Sequence, residues 1–399
     1  MQPVSSYELP KDVAPYFGEI CDADGHENLP PNFWVEEFGS EVAEFEAAVR
    51  AVNKPFDVDK SHDDAEINSH NVWHLKLEKA PGAFDFDRRL EVLDFVGTDR
   101  QLMYPGSLGV FAMILYAKSD NPMSYRMIGG DRRAYARRLI RIYNDWCVHR
   151  YRNYPRLRAV GILADETPEA LLATARDLID RGIRAFWLAM SHPPANLSPA
   201  HLALDPFWAL LAQNGCPVLA HVGAHEGVLK TLAWREAPVF EGWAEGSEVK
   251  LDPFSLSTLH LGAQTFLTAM ILGGVLERHP DLRFGSAELG GSWVGPLAEH
   301  LDLWHENVPT PRQRRKNVLS MKPSDHIRRN VRIACQDFEP VGSYISRYDL
   351  EDVFCYGSDY PHYEGGTDPI GNFCHSLAGQ PSRVLRKFYV ENGRQLVPD

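Results

Sequence analysis

The chain has 399 residues, 44% of them apolar and 24% charged, a globular composition with material for one large core or two to three ordinary domains. Its 41 basic and 54 acidic residues leave a net charge of −13, which argues against a general nucleic-acid or anionic-membrane binder. Six scattered cysteines make neither a disulfide framework nor a CxxC knuckle, no apolar run approaches the roughly 20 residues of a membrane helix, and the opening MQPVSSYELPKDV has no secretory character; free thiols in a cytoplasmic protein are expected.

In chain order, GEICDADGH and RQLMYP are the first two strand candidates. RAVGILA is the third, followed by Thr167-Pro168-Glu169, a helix start with a threonine cap and proline just inside. That helix carries Leu171, Leu172, Ala175, Leu178 and Ile179 on one face and closes at Gly182 before the strand IRAFWLAM. A helix from Pro206 to Asn214 leads to CPVLAHV, one from Thr265 to Arg278 leads to LRFGSAE, and one after Pro323 leads to VRIACQ. A last helix from Val341 to Ser346 precedes VFCYGSD. Eight strands alternating with helices imply a parallel sheet, and the lack of GxGxxG or GxxxxGK[ST] favours a closed (β/α)₈ TIM barrel over a doubly wound sheet.

The spacing predicts a single barrel domain over 1–399, enlarged by insertions after strands 1, 2 and 5, with 27–98 and 223–262 as lids. These insertions carry Phe33, Trp34, Trp73, Phe84 and Phe86, then Trp234, Phe240, Trp243 and Phe254. Such aromatics either face a sizeable, partly apolar substrate or pack the insertions onto the barrel. From Asp131 to Arg158 nine arginines meet two aspartates, and the spacing of Arg133, Arg137 and Arg141 reads as a solvated or salt-bridged helix face.

Chemistry concentrates where strands end. Asp22, Asp24 and His26 alternate in DADGH, so a regular strand turns all three to one cavity. His221 follows the fifth strand, with His225 four residues on; Glu288 ends the sixth, before two glycines; Asp359 ends the eighth, with His362 beside it. Singly these are caps, turns or core histidines. Jointly they deliver carboxylates and imidazoles to the rim where barrels keep their active sites, the pattern of a metal-dependent barrel enzyme. GGSWVG is no nucleophile elbow, because Val294 stands where G-x-S-x-G needs glycine.

DADGH, the YNDW of Tyr143 to Trp146, PVLAHVG, AELGGSW and GSDYPH with its upstream KPSDHIRRNV resemble the amidohydrolase superfamily. The likeness is strongest to the branch that includes aminocarboxymuconate-semialdehyde decarboxylase. It covers most of the chain, and it implies metal ligands at Asp24 and His26 (in the H-x-H slots), His221 and Asp359, with Asp22 in the place of a preceding aspartate. It also implies a homodimer acting on a small molecule. Two positions depart from the family: Asp24 replaces a histidine, and Glu288 stands where the decarboxylases carry a strand-six histidine.

Asp24, Glu288 and Asp359 supply three negative charges, so a single divalent ion would leave the site anionic. Two ions with a hydroxide would balance it, and Glu288 could bridge them. The expectation is therefore a binuclear centre of Zn²⁺, Fe²⁺ or Mn²⁺, with Asp22, Asp24, His26, His221, Glu288 and Asp359 as candidate ligands. The expected reaction is hydrolysis of an ester, thioester, amide or lactone by metal-activated hydroxide. Asp359 would shuttle protons, Glu288 would take part, and His225 or His362 would protonate the leaving group. The alternative is a mononuclear, non-oxidative decarboxylase of an unsaturated or aromatic acid. A barrel that binds without catalysis is a third reading, opposed by the carboxylates kept at both substituted positions.

Overall fold

The computed structural model describes residues 7–52, 64–121, 124–224, 234, 237–240, 253–307 and 319–398. All eight expected strands form: β1 Ile20–His26, β2 Thr98–Tyr104, β3 Leu157–Leu163, β4 Ala185–Leu188, β5 Val218–Ala220, β6 Phe284–Ser286, β7 Val331–Ala334 and β8 Phe354–Cys355. They pair in parallel in the order β1 to β8, with helices between, as a (β/α)₈ barrel. Backbone bonds join the last strand to the first: Ala23 N–H donates to Tyr356 O at 3.0 Å, Asp359 N–H to Asp24 O at 2.8 Å and His26 N–H to Tyr360 O at 2.8 Å. Gly357 permits this approach, since a Cβ there would lie 2.7 Å from Asp24 Cβ and 2.9 Å from Ala334 Cβ.

The local signals act as chemistry dictates. Thr167 accepts a hydrogen bond from Ala170 N–H and starts the helix Pro168–Asp180, whose buried face is Leu171, Ala175, Leu178 and Ile179. Parallel strands covered by helices bury both faces, and every residue of β4 to β8 is buried. Five of the six cysteines are buried, and all six are free thiols. Arg133 and Arg137, on the helix Arg132–Arg150, both pair with Glu166, at 2.6 and 2.9 Å, so this stretch of the basic segment is a salt-bridged face. Among the described residues, no helix is long and apolar enough to cross a membrane.

The aromatics after β1 pack this insertion onto the barrel's outer helices. Trp34 is fully buried, lies 5.7 Å from Phe111 and 6.4 Å from Phe45 between ring centroids, and donates its indole N–H to Leu29 O. Phe86 sits 4.6 Å from Tyr151. None of Phe33, Trp34, Trp73, Phe84 and Phe86 lines the pocket described below. After β5, Trp234 is exposed, while His225 and Trp243 lie outside the described residues. Deleting the Trp34 ring (Trp34→Ala) is expected to cost about 3–5 kcal/mol in denaturant unfolding. A loss below about 1 kcal/mol would contradict its place in the core.

Candidate functional site

The C-terminal ends of β1, β5, β6 and β8 converge on one buried cluster. His26 Nε2 lies 3.4 Å from Asp24 Oδ1, 3.1 Å from Glu288 Oε1 and 3.4 Å from Asp359 Oδ1. His221 Nε2 lies 3.5 Å from Glu288 Oε1 and 3.9 Å from Asp24 Oδ1. His362 Nδ1 lies 3.1 Å from Asp359 Oδ1 and 3.2 Å from Glu288 Oε1, with its ring stacked on His26 at 3.8 Å. Glu288 and Asp359 both hold left-handed backbone, at φ 55° and 52°, a conformation unfavourable for side-chain-bearing residues that turns their carboxylates inward here.

Two overlapping groups arise, Asp24–His26–His221–Glu288 and His26–Glu288–Asp359–His362, with the ligating atoms of each within 4.8 Å of one another. Asp24 Oδ1, both ring nitrogens of His26, His221 Nε2 and both oxygens of Asp359 are buried without a hydrogen-bond partner. Buried polar atoms that converge yet do not hydrogen-bond are costly unless an ion satisfies them, so these residues fit a divalent metal. Burial holds the His221 imidazole down to about 4, leaving it neutral and able to ligate, and its Nδ1 lies 3.1 Å from Val222 O, which leaves Nε2 facing the cluster. Burial opposes charge on His26 too, but Asp24, Asp359 and Glu288 outweigh it and raise its pKa well above the ordinary value. Burial raises Asp24 and Asp359, whereas for Glu288 it is outweighed by His221, His26 and His362, which draw the carboxyl down.

Asp22 stands apart from this cluster, contrary to the expectation of three strand residues sharing one cavity. A register shift between Asp22 and Gly25 breaks the alternation. Asp22 Oδ1 accepts from Asp24 N–H at 3.1 Å and Ser358 N–H at 2.9 Å; Oδ2 accepts from Gln101 Nε2 at 2.7 Å and Ser358 Oγ at 2.6 Å. Gln101 in turn accepts from the buried Arg89 guanidinium at 2.9 Å, which also donates to His26 O at 2.6 Å. This relay braces Asp24, His26 and the residue before Asp359 from behind.

Two further buried carboxylates, missed in the sequence, brace the rim. Glu27 Oε1 accepts from Gly106 N–H, Ser107 N–H, Ser107 Oγ and Tyr143 OH at 2.8–3.1 Å. Glu339 accepts from Gly291, Ser292 and Gln336 N–H at 2.9–3.1 Å and so fixes the turn after Glu288. Apart from the Gln336 amide, these partners lie tens of residues away in sequence, which no local pattern reveals. The YNDW motif is likewise a tie: beside Tyr143, Asn144 exchanges two hydrogen bonds with the Ile162 backbone in β3.

His26, His221, Glu288 and His362 of the cluster border a small cavity of about 80 Å³, also lined by Pro105, Val110, Phe111, Ile114, Val222, Leu256, Leu259, Gln336 and Glu364. Leu256 and Leu259 come from the region after β5, so this insertion, unlike the aromatics after β1, contributes to the pocket wall.

Asp22→Asn turns an amide donor towards donors and is expected to weaken metal binding about 10–100-fold, read by competition with a chromophoric chelator; unchanged affinity would remove Asp22 from the positioning role. Because the pKa values of His26, Asp24 and Asp359 are all raised, the metal-free cluster retains protons that metal uptake must release, and affinity falls as pH is lowered. Adding Zn²⁺ to lightly buffered protein at about pH 6–7 should acidify the solution. No acidification would contradict metal binding at this protonated cluster.

The amidohydrolase family model matches residues 116–398, a span that begins after β1 and β2. No curated protein matches the chain. Among solved structures, an amidohydrolase from Mycobacterium avium subsp. paratuberculosis K-10 is 22% identical, with TM-score 0.60, over 80% of this chain and 75% of that one. The 5-carboxyvanillate decarboxylase of Sphingomonas paucimobilis is 16% identical, with TM-score 0.57, over 95% and 98%. A dihydroxybenzoic acid decarboxylase of Polaromonas sp. JS666, with bound manganese and the inhibitor 2-nitroresorcinol, is 15% identical, with TM-score 0.56, over 95% and 96%. The expectation of acyl-bond hydrolysis is corrected by these comparisons: the carboxyvanillate and dihydroxybenzoate enzymes among the similar structures are decarboxylases. With well over half of its length matched, the chain belongs to the amidohydrolase family.

Proposed function

We propose that the chain is a metal-dependent, non-oxidative decarboxylase of a small aromatic or unsaturated carboxylic acid, working with a single divalent ion. The observation that carries this reading is the composition of the pocket, in which the metal-capable His26, His221 and Glu288, with His362, meet apolar walls from Pro105, Val110, Phe111, Ile114, Leu256 and Leu259. Such walls accept a flat ring and leave a carboxylate poorly solvated, which favours its departure as neutral CO₂. The reactions named for the carboxyvanillate and dihydroxybenzoic acid enzymes support the same choice, as does the manganese in the latter.

Asp24, His26, His221, Glu288 and Asp359 would hold the ion, which when bound supplies Lewis acidity towards a substrate oxygen. One ion is favoured over two because His26 Nε2 serves both overlapping groups, and an imidazole nitrogen has one lone pair to give. The charge balance that called for two ions left out His362. One divalent ion and one imidazolium offset the three carboxylates.

His362 is the proton carrier in this reading. Asp359 and Glu288 flank its Nδ1, and its ring borders the pocket. A proton passes from its far nitrogen, Nε2, to the substrate carbon that bears the carboxylate. The bond from that carbon to the carboxylate then breaks, its electron pair returns to the conjugated system and CO₂ leaves. Water restores the proton to His362, so no oxidant or reductant is consumed. The imidazole that strand six lacks, where Glu288 stands, thus comes from the loop after β8.

The test is a panel of hydroxylated benzoic acids and conjugated acids offered to Mn²⁺-, Fe²⁺- or Zn²⁺-loaded protein, with CO₂ measured. Metal-dependent release from one structural class is expected, with kcat lowered about 10²–10⁴-fold in His362→Asn while metal stays bound. Cleavage of acyl esters or thioesters with no CO₂ from any acid would overturn the reading.

A further inference from the structure

Two polar groups of the pocket take no part in that chemistry. Gln336, after β7, and Glu364, after β8, line the same cavity as His362. Glu364 is half-buried and interacts electrostatically with Asp359, His362 and Glu288, yet among the described residues no other side chain hydrogen-bonds or ion-pairs with its carboxylate. The described residues that line the cavity include no lysine or arginine. Lys76, the cation within electrostatic reach of Glu364, donates its ammonium to Gly366 O and does not line the cavity. Beside the metal-ligating end, the pocket therefore offers a carboxylate that, among the described residues, no other side chain satisfies.

A carboxylate partly withdrawn from water without a partner is costly, and a ligand that brings a donor recovers that cost. A ligand that brings a second carboxylate adds like-charge repulsion. We propose that Glu364, assisted by Gln336, is a specificity-determining residue that accepts a hydrogen bond from a substrate hydroxyl or amino group and rejects dicarboxylic acids. The substrate class narrows to monocarboxylic acids with a donor group. That the substrate's carboxylate departs rests on the decarboxylase reading above.

The test is calorimetric binding of matched benzoic acids to the Mn²⁺-loaded protein, the acids carrying hydrogen, hydroxyl, amino or a second carboxylate at each ring position in turn. The wild type should bind a hydroxyl or amino acid at least about tenfold more tightly than the parent, with the dicarboxylate weakest. Glu364→Leu, which removes the acceptor, should cut that preference below about threefold. Glu364→Gln, which removes only the charge, should admit the dicarboxylate about tenfold better. The same ranking in wild type and both variants, or a dicarboxylate bound most tightly by the wild type, would overturn the proposal. CO₂ release measured in parallel separates the two readings. The binding pattern without CO₂ supports Glu364 and refutes decarboxylation; CO₂ without any change in the variants refutes Glu364 alone.

Discussion

Asp24 and Asp359 are 335 positions apart, yet the amide of one donates to the carbonyl of the other at 2.8 Å. That seam between β1 and β8 closes the barrel, and the site depends on it. In an open sheet of the same strand order, the two ends of the chain would lie on opposite edges. Asp24 and His26 would then be far from Asp359 and His362, and no cluster would form. The cost of joining such distant segments grows only slowly with the length between them, so long insertions are tolerable provided the seam itself fits. Gly357 and the Asp22–Ser358 bonds supply that fit.

The cluster works against stability until it is filled. It concentrates three carboxylates and three imidazoles with almost no exposure, leaves several of their atoms without hydrogen bonds and holds two residues in left-handed backbone. Such strain persists only where the surroundings over-determine it. Here Asp22, Glu27 and Glu339 accept many hydrogen bonds each, and the Arg89 guanidinium ties β2 to the His26 carbonyl. Preorganisation by a second layer keeps mutually repelling carboxylates in place for an ion.

Much of this was legible in the sequence because the barrel separates its signals. Buried parallel strands read as short apolar runs, and a polar residue at the end of such a run, as with His221, Glu288 and Asp359, stands out by contrast. Asp22 was misread because alternation assumes a regular strand, and a register shift two residues later breaks it. The aromatics after β1 were ambiguous because residue type does not reveal which surface a ring covers; packing put Trp34 against Phe111 rather than against the cavity. Glu27, Arg89 and Glu339 were invisible because groups distant in sequence, such as Tyr143, the His26 carbonyl and the Gly291 amide, define their roles. The charge count behind the two-ion expectation was incomplete for a related reason. It summed carboxylates by strand and left out His362, whose place beside Asp359 and Glu288 emerges only on folding.

The central claim is that one divalent ion at the barrel rim organises a proton-delivering pocket. Anomalous diffraction from crystals of the metal-loaded protein, recorded at the absorption edge of the ion, tests it most directly. The account predicts one strong peak, about 2.0–2.3 Å from His26 Nε2 and His221 Nε2, with His362 outside the coordination sphere. Two peaks about 3.5–4 Å apart, or a peak away from these nitrogens, would contradict it.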